Sequence, residues 1–424
     1  GFAPALCMMT FNIYKYVIIE MKNFRKISLL TFLLLAFAAV RLCAGRHYTV
    51  IVSLDGCRWD YPMMYDTPFL DSLGSRGVSA VMRPSFPSKT FPNHYTLATG
   101  LVPDHHGIIA NRFYDVASGR TYSISDKATS KDGSFYGGEP IWLTAKRQGV
   151  KVGVVYWPGS DVAIKGMYPD YYKDYAKKPL LTFPERLDEA ERLLTLPDSV
   201  RPQLVMIYFN EPDHSGHSYG PASKQTRKAV EELDSLMCSL YKRLRALPCG
   251  QDINFIVTSD HGMASTSPER IIRLSEYLKP EWCERVMADL PTLIFPKKGH
   301  EDDIMNALKG VAHIRTWKKD EVPECFHYGT NRNIAPIVVM PDVGWVVSED
   351  GRVIPGNHGF DPYNSELNVP FRAEGPDFKH GYVKTAMFDN TCIYPLLSRL
   401  LGIEPAPCDG NIGDVADMLA PVGQ

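Results

Sequence analysis

Three stretches of the chain end in residues that could do chemistry. The apolar run YTVIVSL, residues 48–54, stops at Asp55. QLVMIYF (203–209) runs into NEPDHSGHSYGP, which carries Asp213 and His217. INFIVTS (253–259) runs into Asp260 and His261. One Asp after an apolar run is ordinarily a turn or cap residue. Three such ends, two of them with a His close by, call for another explanation. A fourth imidazole, His358, sits in the Gly- and Pro-flanked loop IPGNHGFDP. Mixed carboxylate and imidazole donors suit zinc, which both ligand types bind at ~2.0–2.2 Å. Six side chains exceed one tetrahedral ion and suit two. Paired ions ~3.5–4 Å apart clamp the entering and leaving oxygens of an in-line displacement.

A hydroxyl stands out beside this donor set. In RPSFPSKTFPNHYTLATG (83–100), prolines crowd around Thr90 and a helix-like run, His94 to Thr99, follows at once. Thr is a favoured helix cap and Pro is tolerated in the first turn, so one reading is N-capping. The other is a nucleophile. A free threonine hydroxyl is weak in that role, and a metal ion that lowers its pKa removes the objection. A helix N-terminus behind Thr90 would add positive potential where phosphate charge develops.

The elements that must position these groups are legible from periodicity. YTVIVSL, VKVGVVYW (150–157), QLVMIYF, INFIVTS and APIVVM (335–340) are continuous, β-branched and apolar, as buried strands are. Helix-like segments separate them. In residues 222–247, Val230, Leu233, Leu236, Met237, Leu240 and Leu244 recur at helical spacing. Alternating strands and helices predict an α/β fold with a mostly parallel central sheet and helices on both faces. Ligands of such sheets bind beyond the carboxyl ends of the strands, where Asp55, Asp213 and Asp260 fall.

The 424 residues are 45% hydrophobic and 22% charged, enough apolar material for a sizeable core. The formal net charge of −2 gives no basic field for an obligate nucleic-acid partner. From Met21, MKNFRKISLLTFLLLAFAAVRLCAG has a basic start, an apolar run from Ile27 to Val40 and small residues at Ala44 and Gly45. That is the pattern of a secretory signal peptide over 21–44, and its apolar run is short for a membrane span. Residues 1–20 read as an upstream or mis-called start. Residues 45–424 then form one catalytic domain, secreted or periplasmic, with no membrane span in the mature protein. Arg41 and Leu42 before Cys43 make a poor lipid-attachment signal. Of nine cysteines, seven follow the leader; an odd number leaves at least one unpaired within the chain. No CxxC occurs, so a thiolate zinc site is not expected.

VIVSLDGCRWDY, PSFPSKTFPNHYTLATGLVPDHHGIIANRFYD, GEPIWLTAKRQG, WPGSDV, EPDHSGHSYGP, TSDHGM and NHGFDP together resemble the ecto-nucleotide pyrophosphatase/phosphodiesterase family of the alkaline phosphatase superfamily. The likeness runs from about Tyr48 to Cys408. It implies an alkaline phosphatase-like fold and two zinc ions per chain. Asp55, Thr90, Asp260 and His261 would hold one ion, and Asp213, His217 and His358 the other. Thr90 would be the nucleophile, forming a nucleotidyl intermediate that water hydrolyses. Asn111 would face the phosphoryl oxygen. His94, His105, His106 and His214 are not expected as ligands. The chain resembles the catalytic domain alone, as in bacterial-like members, without the cysteine-rich and nuclease-like modules of vertebrate relatives.

Members of the family act on nucleotides or on choline lipids. Phe91, directly after Thr90, and Tyr175 in WPGSDVAIKGMYPDYYKDY resemble the residues that stack on a base in the nucleotide-hydrolysing type, and Asp161 matches a position near the base edge. The resemblance thus implies release of nucleoside 5′-monophosphate from diesters and phosphoanhydrides. The alternatives are a glycerophosphocholine or lysophospholipid phosphodiesterase on the same zinc chemistry, and a zinc- and nucleotide-binding protein without turnover. A sulfatase is disfavoured, because no C-x-P-x-R or S-x-P-x-R motif stands near Thr90.

Overall fold

The computed structural model describes residues 47–421. The signal peptide expected at 21–44, residues 1–20, Cys7 and Cys43 lie outside the described residues.

A nine-stranded sheet organises the chain. Its strands are β1 (Tyr48–Leu54), β2 (Val78–Arg83), β3 (Val152–Val155), β4 (Tyr171–Lys173), β5 (Leu204–Phe209), β6 (Ile253–Thr258), β7 (Val369–Glu374), β8 (Tyr382–Val383) and β9 (Phe388–Asp389). In space they run β8-β2-β7-β6-β1-β5-β3-β4, with β9 also on β2. Only β7 runs antiparallel, against β2 and β6. Every residue of β1, β5 and β6 is buried, which is why these runs are apolar without alternation.

Successive residues of β1 serve opposite faces, as the strand period of two requires. Ile51 packs with Leu97, Trp142 and Leu397, from helices Thr90–Thr99, Ile141–Arg147 and Ile393–Leu401. Val50 and Val52 pack on the other side with Leu73, Leu187 and Leu233, from helices Pro68–Arg76, Phe183–Leu194 and Lys224–Arg245. The last of these starts where Ser223 accepts a hydrogen bond from Thr226 N–H at 3.1 Å, and Val230, Leu233, Met237, Leu240 and Leu244 are its buried stripe. The structure is thus an α/β fold with helices on both faces of a mixed, mostly parallel sheet.

One strand falls elsewhere. Strand Ile337–Pro341, which takes in the last four residues of the APIVVM run, pairs antiparallel with Thr292–Pro296 and Ile314–Lys318 in a separate four-stranded sheet that also contains Cys283–Met287. That strand is fully buried, like a parallel core strand, so its composition alone does not distinguish the two settings. All seven described cysteines are unpaired. Among the described residues, no helix is long and apolar enough to cross a membrane.

Candidate active site

Register brings the chemistry together. β1 pairs with β5 from Thr49↔Leu204 to Leu54↔Phe209, and with β6 from Tyr48↔Ile253 to Ser53↔Thr258. The three strands therefore finish side by side, and Asp55, Asp213 and Asp260 emerge at one edge. Asp55 N–H donates to Phe209 O and Asp213 N–H to Asp55 O, both at 2.9 Å. Gly56 lets these loops touch: it has φ +70°, and a Cβ there would lie 2.9 Å from Asp213 Cα. Asp213 opens a short helix, Asp213–Tyr219, so His217 falls one turn later on the same face. His358 arrives through a two-residue antiparallel ladder, Gly356–Asn357 against Ala264–Ser265, which sets it beside His261. The two imidazole rings stack with centroids 3.6 Å apart.

Two groups of donors result. His261 Nε2 lies 3.0 Å from Asp260 Oδ2 and 3.4 Å from Asp55 Oδ1. Asp213 Oδ1 lies 3.3 Å from His217 Nε2 and 3.5 Å from His358 Nε2. Asp55, Asp260, His261 and His358 are almost wholly buried.

The set fits metal cations. Asp55 Oδ1, Asp213 Oδ1 and Asp260 Oδ2 are buried oxygens with no hydrogen-bond donor, a costly arrangement without a positive partner. His217, His261 and His358 each place Nδ1 at 2.8–2.9 Å from a backbone carbonyl: Gly356 O, Gly262 O and Ser88 O. A carbonyl only accepts, so Nδ1 carries a proton, and in the neutral ring Nε2 turns a lone pair toward the carboxylates. That is how metal-binding imidazoles are usually oriented. Charge is frustrated accordingly. Burial, reinforced by Asp260 and Asp213, pushes the Asp55 carboxyl well above the ordinary range. Burial pushes Asp260 upward too, but His261 and His94 outweigh it and hold that carboxyl well below.

Thr90 is the first residue of helix Thr90–Thr99, which starts four residues before the helix-like run read from sequence. The cap position belongs to Lys89, and the Thr90 hydroxyl caps nothing. It lies instead 3.1 Å from His261 Nε2, at the border of the donor set. Capping does not account for the hydroxyl.

A cavity of about 300 Å³ opens from Thr90, lined by Phe91, Lys127, Tyr156, Asp161 and Tyr175 as well as Asp55 and Asp213. Its size is at the lower end for small-molecule sites. Tyr175 packs edge-on against Tyr156 at 5.5 Å and stays 39% exposed. Asp161 accepts from Tyr175 N–H at 2.9 Å and from Lys131 Nζ, which also donates to Asp174 at 2.6 Å. Its carboxylate therefore braces the Tyr175 turn as well as lining the cavity. Asn111 is not among the lining residues, but its Oδ1 accepts from Phe91 N–H at 3.1 Å, which leaves the two Nδ2 hydrogens for other acceptors.

Of the remaining histidines, His94 adjoins the donor set, its Nδ1 3.2 Å from Asp260 Oδ2. His94 is buried, with Nε2 2.9 Å from Ser53 Oγ and Nδ1 3.0 Å from Thr90 O. His106 is buried in a hydrogen-bonded pocket, and His105 pairs with Asp409 at the surface. Tyr208, unmarked in the sequence reading, donates to Asp55 Oδ2 at 2.6 Å and so aims Oδ1 at the donor set. As one more apolar-looking residue of β5 it carries no sequence signal.

The type I phosphodiesterase / nucleotide pyrophosphatase family model matches residues 49–361. Human ectonucleotide pyrophosphatase/phosphodiesterase family member 5 is 33% identical over 402 residues, covering 93% of this chain and 83% of its own length. Human family member 1 is 35% identical over 388 residues; these cover 88% of this chain but 42% of that relative, so the chain spans less than half of it. Among solved structures, murine family member 5 superposes with a TM-score of 0.83 at 34% identity, covering 88% of this chain and 100% of the murine one. The murine protein has also been solved as an inactive threonine-to-alanine variant in complex with AMP. With the family model matching residues 49–361 and a relative matched over 83% of its own length, the chain belongs to the ectonucleotide pyrophosphatase/phosphodiesterase family of hydrolases.

Proposed function

We propose that the protein is a zinc-dependent nucleotide pyrophosphatase/phosphodiesterase that releases nucleoside 5′-monophosphate through a covalent intermediate on Thr90. The observation that carries this is the position of the Thr90 hydroxyl, 3.1 Å from His261 Nε2 of the buried donor set, in the lining of the cavity that Phe91 and Tyr175 also line. Asp55, Thr90, Asp260 and His261 would hold one zinc, and Asp213, His217 and His358 a second. Such a pair supplies Lewis-acid stabilisation of the displacement and a lowered hydroxyl pKa.

The chain's own residues would do the rest. Thr90 Oγ1 gives up its proton to solvent and attacks the α-phosphorus; its P–O bond forms as the bond to the leaving group breaks, and the leaving oxygen departs with the bonding pair. Water then attacks the same phosphorus, breaks the bond to Thr90 and returns the hydroxyl. Asn111, held by Phe91 N–H through Oδ1, offers Nδ2 to a phosphoryl oxygen. Phe91 and Tyr175 grip the base between their rings, and Asp161 keeps the Tyr175 turn in place at the base edge. AMP bound to the murine relative supports a nucleotide as substrate. In the same reading, residues 21–44 export the protein and residues 45–424 act as one catalytic domain, secreted or periplasmic.

The test is a substrate panel on zinc-reconstituted protein: nucleotide diesters, dinucleoside polyphosphates, nucleotide sugars, glycerophosphocholine and lysophosphatidylcholine. Fastest turnover is expected on nucleotides, with nucleoside 5′-monophosphate as product. Faster turnover of the choline esters would overturn the substrate assignment.

A further inference from the structure

The residue before Thr90 is a lysine whose charge is buried. Lys89 is 6% exposed, and its Nζ lies 2.8 Å from Asp289 Oδ1. A buried ammonium is retained only where a partner holds it. Asp289 stands in the turn that leads into strand Thr292–Pro296 of the separate antiparallel sheet. That turn is tied down: Asp289 Oδ1 accepts from Leu290 N–H at 2.8 Å, and its backbone carbonyl from Thr292 Oγ1 at 2.9 Å.

The two residues before Thr90, Ser88 and Lys89, also grip the His358 loop. Ser88 O accepts from His358 Nδ1–H at 2.9 Å, and Ser88 Oγ takes Gly359 N–H at 3.0 Å. The lysine stem runs against Gly359 so closely that a Cβ there would lie 2.4 Å from Lys89 Cε and 2.9 Å from Leu290 Cβ. Gly359 has φ +107°, so only glycine meets this approach without strain. Three segments distant in sequence therefore meet at one point: the Thr90 loop, the His358 loop and the Asp289 turn.

We propose that Lys89 and Asp289 form a positioning pair, an ionic clasp through which the antiparallel sheet fixes Thr90 and His358 relative to each other. Neither residue touches substrate; both act through the placement of the Thr90 hydroxyl. The proposal rests on the reading of Thr90 as nucleophile. Near-attack geometry is sensitive to shifts of about 1 Å, which can cost on the order of 10²-fold in rate. Loosening the clasp should therefore lower kcat with little change in KM.

Lys89→Met keeps the stem that packs on Gly359 and removes the charge; Asp289→Asn keeps shape at the other end. Each is compared with wild type and with the double variant for kcat and KM on thymidine 5′-monophosphate 4-nitrophenyl ester, zinc content and Tm. Both single variants should lose about tenfold or more in kcat, with KM within threefold. The double variant should be no worse than the worse single, since each change breaks the same interaction. If either single variant does not fold, the other still decides. A folded, zinc-loaded Lys89→Met or Asp289→Asn with wild-type kcat would overturn the pair, as would losses that multiply in the double variant. Thr90→Ala in the same assay separates the two ideas. Its near-wild-type turnover would sink the nucleophile reading, whereas an inactive Thr90→Ala beside a fully active Lys89→Met would sink the clasp alone.

Discussion

His217 and His358 face each other Nε2 to Nε2 at 3.1 Å, while each commits its Nδ1–H to a backbone carbonyl. Two lone pairs held at that distance repel, and burial, with the nearby His261 and His217, keeps the His358 pKa well below the ordinary imidazole value. A metal cation held between these nitrogens would relieve that repulsion, since imidazole Nε2 is a good metal donor. Elemental analysis after zinc reconstitution should give about two equivalents per chain, as for a paired-metal site. His358→Ala should lose mainly one of them, and Asp260→Ala should weaken the one nearer Thr90. One equivalent or none in the wild type would contradict the dinuclear reading.

Phe91 and Tyr175 would hold the part of the substrate remote from phosphorus. Base stacking contributes ~1–3 kcal/mol by substitution, so Phe91→Ala or Tyr175→Ala should raise KM for nucleotides by roughly 5- to 150-fold. A small aryl phosphodiester without a base should be turned over almost as before. Equal losses on both substrates would mean that the rings support the fold instead.

In the proposed role Asn111 would offer a neutral amide where a phosphate monoester, a dianion, would call for a bidentate arginine. A diester carries one charge fewer and leaves room for the second ester group. Asn111→Ala should lower kcat/KM for diesters by ~10²–10³-fold, the usual cost of one lost oxyanion donor. The wild type should dephosphorylate AMP poorly; efficient conversion of AMP to adenosine would move the protein toward phosphatase chemistry.

His106 sets an acid limit on stability. It is fully buried, its Nε2 lies 3.1 Å from Pro92 O, and its Nδ1 accepts from Ile108 N–H at 3.2 Å. Burial lowers its pKa from 6.5 to about 3. The unfolded chain therefore binds the proton first as pH falls. The contribution is complete above pH 6.5 and is lost progressively as pH drops toward the folded value, with a slope of up to ~1.4 kcal/mol per pH unit. In urea unfolding at pH 5 and pH 7, His106→Gln should flatten the difference between the two. An unchanged difference would show that His106 does not titrate in this way.

Much of this site is legible in the sequence because it hangs on strand ends. YTVIVSL is a strand over its full length, and QLVMIYF and INFIVTS differ from theirs by one residue each. Apolar runs of this kind announce both the parallel core and the place where it stops. β7, VPFRAE, gives no such signal: it carries a proline, an arginine and a glutamate, and is placed by pairing with β2 and β6 rather than by its own pattern. The APIVVM run shows the reverse failure, a core-like composition in an antiparallel sheet. Links across long separations are silent too. Tyr208 to Asp55, Asn111 to Phe91 and Lys89 to Asp289 each depend on the folded path of two segments.

The Thr90 intermediate is tested most directly by the stereochemical course at phosphorus. A nucleoside 5′-aryl phosphorothioate diester of known configuration, hydrolysed in oxygen-labelled water, yields a chiral product whose configuration can be assigned. Attack by Thr90 and then by water inverts phosphorus twice, so net retention is the expected result. Net inversion would mean that water displaces the leaving group directly, and would contradict a covalent Thr90 intermediate.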